Sequence, residues 1–142
     1  MRTPWVIIDT NILVSGLITG NRSSPPSVIF DGMLQASFPF LLSVELLQEY
    51  RQVLLRPKIQ SLHRLEESEI DIILEDITAN AIFREPVRIS GQAPDKNDQH
   101  LWTLLATTPH AVLITGDQLL LNNPPDFARV ITAKSFLALS KL

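Results

Sequence analysis

Trp5-Val6-Ile7-Ile8-Asp9-Thr10-Asn11 is a short apolar run, rich in β-branched residues, that stops abruptly on an acid. Such a run reads as a buried strand ending at Asp9. A second one, Ala111-Val112-Leu113-Ile114-Thr115, ends in Gly116-Asp117. Neither run alternates apolar with polar residues, as a half-exposed strand would. Strands that are apolar throughout belong in a parallel sheet covered on both faces. Between and beyond them lie segments with helical spacing. The expectation is therefore an α/β fold in which helices cover both faces of a central parallel sheet.

The remaining elements follow from the two anchors. Ser24 before Pro25 opens a helix to about Gln35, with Val28, Ile29, Met33 and Leu34 inward. Phe38 to Leu42 reads as a strand. Ser43 caps a helix to about Leu55, stopped by Pro57, and its Leu46, Leu47, Tyr50, Val53 and Leu54 form one stripe. Another helix spans about Leu65 to Asn80. Short strands are read at Ala81 to Phe83 and Val87 to Ile89. After a polar loop from Ser90 to Asn97, a helix runs from Asp98 to about Thr107. A helical turn lies at Leu119 to Leu121, then a strand from Arg129 to Thr132. Thr132 caps a last helix to Leu142. The whole chain, residues 1–142, reads as one domain with no linker or repeat.

Composition narrows the classes. At 142 residues and 45% hydrophobic content the chain can bury a core without staples. It has no cysteine, which removes disulfides, thiolate zinc sites and thiol nucleophiles and fits a reducing, cytoplasmic setting. No stretch reaches membrane-spanning length, and no signal peptide is read. The net charge of -3 argues against a basic nucleic-acid coat. Much of the acidity, Glu66, Glu67, Glu69, Asp71, Glu75 and Asp76, reads as a solvated helix face.

Four other acids sit where strands stop or helices start: Asp9, Glu49, Asp98 and Asp117. Each has a plain structural reading beside the functional one. Asp9 turns the chain, or binds a ligand with Asn11 beside it. Glu49 borders the apolar stripe of its helix, nearer to it than Glu45, and so reaches a crevice at the sheet edge. Asp98, with Asp95, either caps its helix or presents an anion there. Asp117 caps a turn, or joins a site in which Thr115 bonds a carboxylate or a water. Their common placement is what matters, because ligands of parallel sheets bind beyond the carboxyl ends of the strands. Clustered acids without a cation raise one another's pKa, and Lys96 is the one base within these segments. His63, His100 and His110 show no ligand spacing, and His100 reads as a solvent residue, so zinc is disfavoured. Oxygen-only ligands point to Mg²⁺ or Mn²⁺. No phosphate-binding glycine loop, nucleophile elbow or dinucleotide fingerprint is present. A phosphoacceptor domain would need an acidic pair after the first strand, where only Asp9 stands.

The segments VIIDTNILVSGL (6–17), LLSVELLQEYRQVLLRPK (41–58), PDKNDQHLWTLL (94–105) and AVLITGDQLLL (111–121) resemble, in order and spacing, the PIN-domain family. They are most similar to the subgroup of toxin components of toxin–antitoxin systems. The resemblance implies a three-layer α/β/α fold with a central parallel sheet of about five strands flanked by helices, and a Mg²⁺- or Mn²⁺-dependent ribonuclease cutting single-stranded RNA. It implies Asp9, Glu49, Asp98 and Asp117 as metal-binding and catalytic acids, with Asp95, Asn11, Ser43 and Thr115 in support. Asp9 and Asp117 would hold the principal ion, and Glu49 and Asp98 a second ion or waters. Arg22, Arg51, Arg56, Lys58 and Lys96 are candidates to grip the RNA backbone. A homodimer and an antitoxin partner are further expectations. The subgroup often has a denser D-P-x-D-D pattern where this chain has Pro94-Asp95-Lys96-Asn97-Asp98, which softens the local negative charge. A nucleic-acid- or protein-binding scaffold with a silent site is the competing expectation.

Overall fold

The computed structural model describes residues 3–140. Strand β1 (Val6–Ile8) is wholly buried and pairs in parallel with β4 (Val112–Ile114), which pairs in parallel with β5 (Arg129–Ile131). A second parallel pair joins β2 (Leu41–Leu42) to β3 (Ile82–Phe83). One bridge, Val6 to Phe40, attaches this pair to the other side of β1. The expected single sheet of about five strands is thus corrected to a three-stranded sheet with a two-stranded one beside it. Two-residue strands leave too few ladder bonds to continue the pairing.

Eight helices flank the strands among the described residues: α1 (Thr10–Ile18), α2 (Pro25–Leu34), α3 (Val44–Leu54), α4 (Pro57–His63), α5 (Glu67–Asn80), α6 (Gln99–Leu105), α7 (Gln118–Asn122) and α8 (Ala133–Ser140). A 3-10 turn, Lys96–Asp98, leads into α6. Most follow local chemistry. Ser43 Oγ accepts from the Leu46 amide at 3.1 Å and caps α3, whose Leu46, Tyr50 and Leu54 recur every four residues and are fully buried. Glu66 and Glu69 form a reciprocal capping box on α5. Thr132 Oγ1 accepts from the Ser135 amide at 3.1 Å at the start of α8, whose expected end at Leu142 lies outside the described residues.

One expectation needs correction, and two helices appear where none was expected. Helix α1 is apolar on nearly every side, burying Ile12, Leu13 and Val14, and so shows no amphipathic period in the sequence. Pro57 does end α3, but it also occupies the first turn of α4. Arg56 before it is extended, as a residue preceding proline prefers. Val87 to Ile89 forms no strand; Val87 is exposed and its amide bonds to the Thr103 carbonyl at 3.3 Å.

Helix α1 packs most extensively on α2. The close approach runs through Gly16, where a Cβ would stand 2.7 Å from the Phe30 Cβ and closer still to the Pro26 carbonyl oxygen. The core includes β1, β2 and β4 together with the inner faces of α1, α2, α3, α5 and α6. No helix among the described residues is long and apolar enough to cross a membrane. From β1 the chain steps outward to β2 and β3, then returns to place β4 on the opposite side of β1. The order therefore reverses between β1 and β4, and such a reversal opens a crevice at the carboxyl ends of the strands.

Candidate active site

Asp9 follows the last residue of β1. The register pairs Ile8 with Ile114, so Asp9 stands level with Thr115. Its carboxylate is almost enclosed, at 6% exposure. Oδ1 accepts from the Thr10 amide at 2.8 Å, which makes Asp9 the cap of α1. Oδ2 accepts from Thr115 Oγ1 at 2.7 Å and from Asn11 Nδ2 at 3.2 Å. The turn reading and the site reading of Asp9 thus describe one side chain. Burial raises its pKa, the Thr115 and Thr10 bonds oppose that, and the charges of Glu49 and Asp117 add to it.

Asn11 and Thr115 tie the two strand ends together. Asn11 Oδ1 accepts from the Gly116 amide at 3.1 Å, and its Nδ2 lies 3.3 Å from Thr115 Oγ1. Thr115 Oγ1 also accepts from the Asp117 amide at 3.0 Å. Asp117 caps α7 by accepting from the Leu119 amide at 2.9 Å. Its charge still reaches both Asp9 and Asp98.

Glu49 arrives from α3. Its neighbour Tyr50 is fully buried and donates from its hydroxyl to the Ile8 carbonyl at 2.5 Å, which fixes α3 against the end of β1. Thr10 Oγ1 donates to Glu49 Oε2, and His100 Nε2 stands 3.3 Å from Oε1. The His100 bond lowers the Glu49 pKa, against partial desolvation. Burial would lower that of His100, but the bond and charge of Glu49 outweigh it and the net shift is upward. The reading of His100 as a solvent residue is corrected: it is buried at 7% exposure. Its position two residues beyond Asp98, on the turn that faces α3, was the available signal.

Asp98 stands at the start of α6 without a side-chain cap bond. Its pKa is raised to about 6, first by burial, then by the charges of Asp9, Asp95, Asp117 and Glu49. Asp95 accepts from the Asn97 amide at 2.9 Å and shapes the 3-10 turn. The structure thus brings Asp9, Glu49, Asp98 and Asp117 to one edge, with Asn11 and Thr115 between them. Ser43 does not join them through any hydrogen bond; it caps α3. Thr10, not anticipated, contacts both Asp9 and Glu49.

No Lys or Arg forms a salt bridge with any of the four acids among the described residues. Arg22 pairs with Asp31, and Arg51 with Glu67 and Asp71. The partner of Glu49 is His100. Among the same residues, no group of three or more His, Asp or Glu side chains is already drawn together closely enough to hold a metal ion.

A family model for the PIN domain matches residues 5–119, a span that contains all four acids. No curated protein matches the chain in a sequence comparison. The match spans most of the chain, and it agrees with the parallel α/β core, the crevice between β1 and β4 and the acids gathered there: this chain belongs to the PIN-domain family, with its nuclease-like fold.

Proposed function

We propose that the protein is a Mg²⁺- or Mn²⁺-dependent endoribonuclease that hydrolyses phosphodiester bonds in single-stranded RNA, as the toxin component of a toxin–antitoxin system. The observation that carries this reading is the meeting of four carboxylates from four separate segments, with no Lys or Arg in a salt bridge to any of them among the described residues. Such a cluster is destabilising on its own and is relieved by a cation.

The residues fit a hard divalent ion. Every donor is oxygen, and Asp98 and Glu49 keep lone pairs free of backbone amides. Mg²⁺ commonly binds through one or two carboxylates and retains several waters, so a chelate of three protein ligands is not required. Asp9 and Asp117 would hold the principal ion, with Glu49 and Asp98 binding a second ion or its waters. When bound, a divalent cation supplies a water of lowered pKa and neutralises charge on the phosphoryl oxygens. The chain's own residues do the positioning. Thr115, Asn11 and the Thr10 amide hold both oxygens of Asp9 in place. Thr10 and His100 hold Glu49. Asp98, with its pKa raised to about 6 by burial and the neighbouring charges, would bind such an ion as the carboxylate.

Asp9→Asn is expected to abolish Mn²⁺-dependent cleavage of a labelled single-stranded RNA while circular dichroism stays unchanged. Retained cleavage removes Asp9 from the chemistry. A silent scaffold that binds nucleic acid or protein is the second reading, favoured by the absence of a preassembled ligand group among the described residues. Cleavage by the wild type separates the two. The homodimer and the antitoxin partner are part of the same proposal, open to test by sedimentation of the purified chain and of its complex.

A further inference from the structure

A polar cleft of about 460 Å³ opens beside Glu49, between α3 and the turn before α6. Its wall on the α3 side is graded. Glu45, Glu49 and Gln52 follow one another at intervals of four and three residues on one face of α3, with Gln48 alongside, and Arg56 lines the cleft just beyond the end of the helix. The charge along this wall passes from acidic at the carboxylate cluster, through neutral amides, to basic. Asn97 faces it from the 3-10 turn, and His100 forms the floor near Glu49.

A polyanion approaching four carboxylates needs attraction beyond them, and this wall supplies it at one place. Arg56 is the only Arg or Lys lining the cleft, it is exposed, and it forms no salt bridge among the described residues. It stands two residues past the end of α3, and its charge reaches Glu49 and helps lower the pKa there. Gln48, Gln52 and Asn97 each present a donor and an acceptor, the pattern that reads the edge of an unpaired base.

We infer that this cleft binds the nucleotide adjoining the scissile phosphate, with Arg56 on its phosphate and the three amides at its base edge. The inference rests on the ribonuclease reading and names where its substrate lies. Lysine can replace arginine as a charge on phosphate, so the contact depends chiefly on charge.

Binding of a short fluorescein-labelled single-stranded RNA is measured by anisotropy across a salt series, in an Asp9→Asn background that does not cut. Adding Arg56→Ala should weaken binding and reduce the slope of log K against log salt by about 0.7, the loss of one phosphate contact on a single strand. Arg56→Lys should restore the slope. Arg129→Ala, at the opposite end of the strands, should leave it unchanged. In the cleaving protein, Arg56→Ala should raise KM severalfold with little change in kcat. An unaltered slope in Arg56→Ala, an equal change in Arg129→Ala, or no measurable RNA binding overturns the inference. Absence of cleavage by the wild type overturns the ribonuclease reading instead, and does so whatever the slopes.

Discussion

Asp98 is the residue whose energy depends most visibly on its neighbours. Its carboxyl is raised from the ordinary 3.8 to about 6 by burial and by the charges around it. A raised carboxyl pKa contributes stability that is complete below the unfolded value and is lost as pH climbs through the folded one. The metal-free protein should therefore lose stability between about pH 4 and 6 on account of this group. Asp98→Asn removes the titration. Its melting temperature should match the wild type near pH 4 and exceed it above pH 7, and millimolar Mg²⁺ should narrow the gap. Equal melting temperatures at pH 7.5 would mean that Asp98 carries no such repulsion. Tyr50 makes the complementary case. Its buried hydroxyl bonds the Ile8 carbonyl, so Tyr50→Phe should cost about 1 kcal/mol in denaturant unfolding. Activity should fall as well, because α3 carries Glu49 beside it.

At the scale of elements, the α1–α2 contact is the tightest joint in the fold. Gly16 leaves no room for a methyl group against Pro26 and Phe30. Gly16→Ala gains helix propensity but overpacks the joint, and the second effect is larger: about 1–3 kcal/mol lost against at most about 1 gained. Chemical denaturation should show net destabilisation, and a more stable variant would mean that the two helices separate freely. Helix α1 illustrates how legibility fails. Its apolar faces remove the period by which helices are recognised, so only packing reveals it. Helices α3 and α5 were readable because each buries one face and exposes the other. The short strands β2 and β3 were readable only as apolar patches, since two residues carry too little pattern to specify a shared sheet.

At the scale of the molecule, the acids stand at the edge of a scaffold with a large apolar core. The core includes β1, β2 and β4, with Phe40, Phe38 and Phe136 in edge-to-face contact on one side. Occupation of the acidic edge should then add to stability by mass action. At a Mn²⁺ concentration of 100 times its Kd the gain is about 2.7 kcal/mol, read as a rise in melting temperature. Asp117→Asn should reduce that rise while leaving the metal-free melting temperature nearly unchanged. A rise of the same size in the variant would place the ion elsewhere.

The residues themselves determined where strands would stop and which acids would stand at those stops. An apolar run followed by Asp declares its end locally, through burial and turn chemistry. The PIN-domain identity was legible for the same reason, since its motifs are local. Tertiary structure alone decided which side chains meet. Thr115 reaches Asp9 because parallel register sets them level, and Thr10 and His100 reach Glu49 because α1, α3 and α6 converge. Ser43, equally polar, stays a helix cap. These pairings depend on distances between segments far apart in the chain, and no local pattern encodes them.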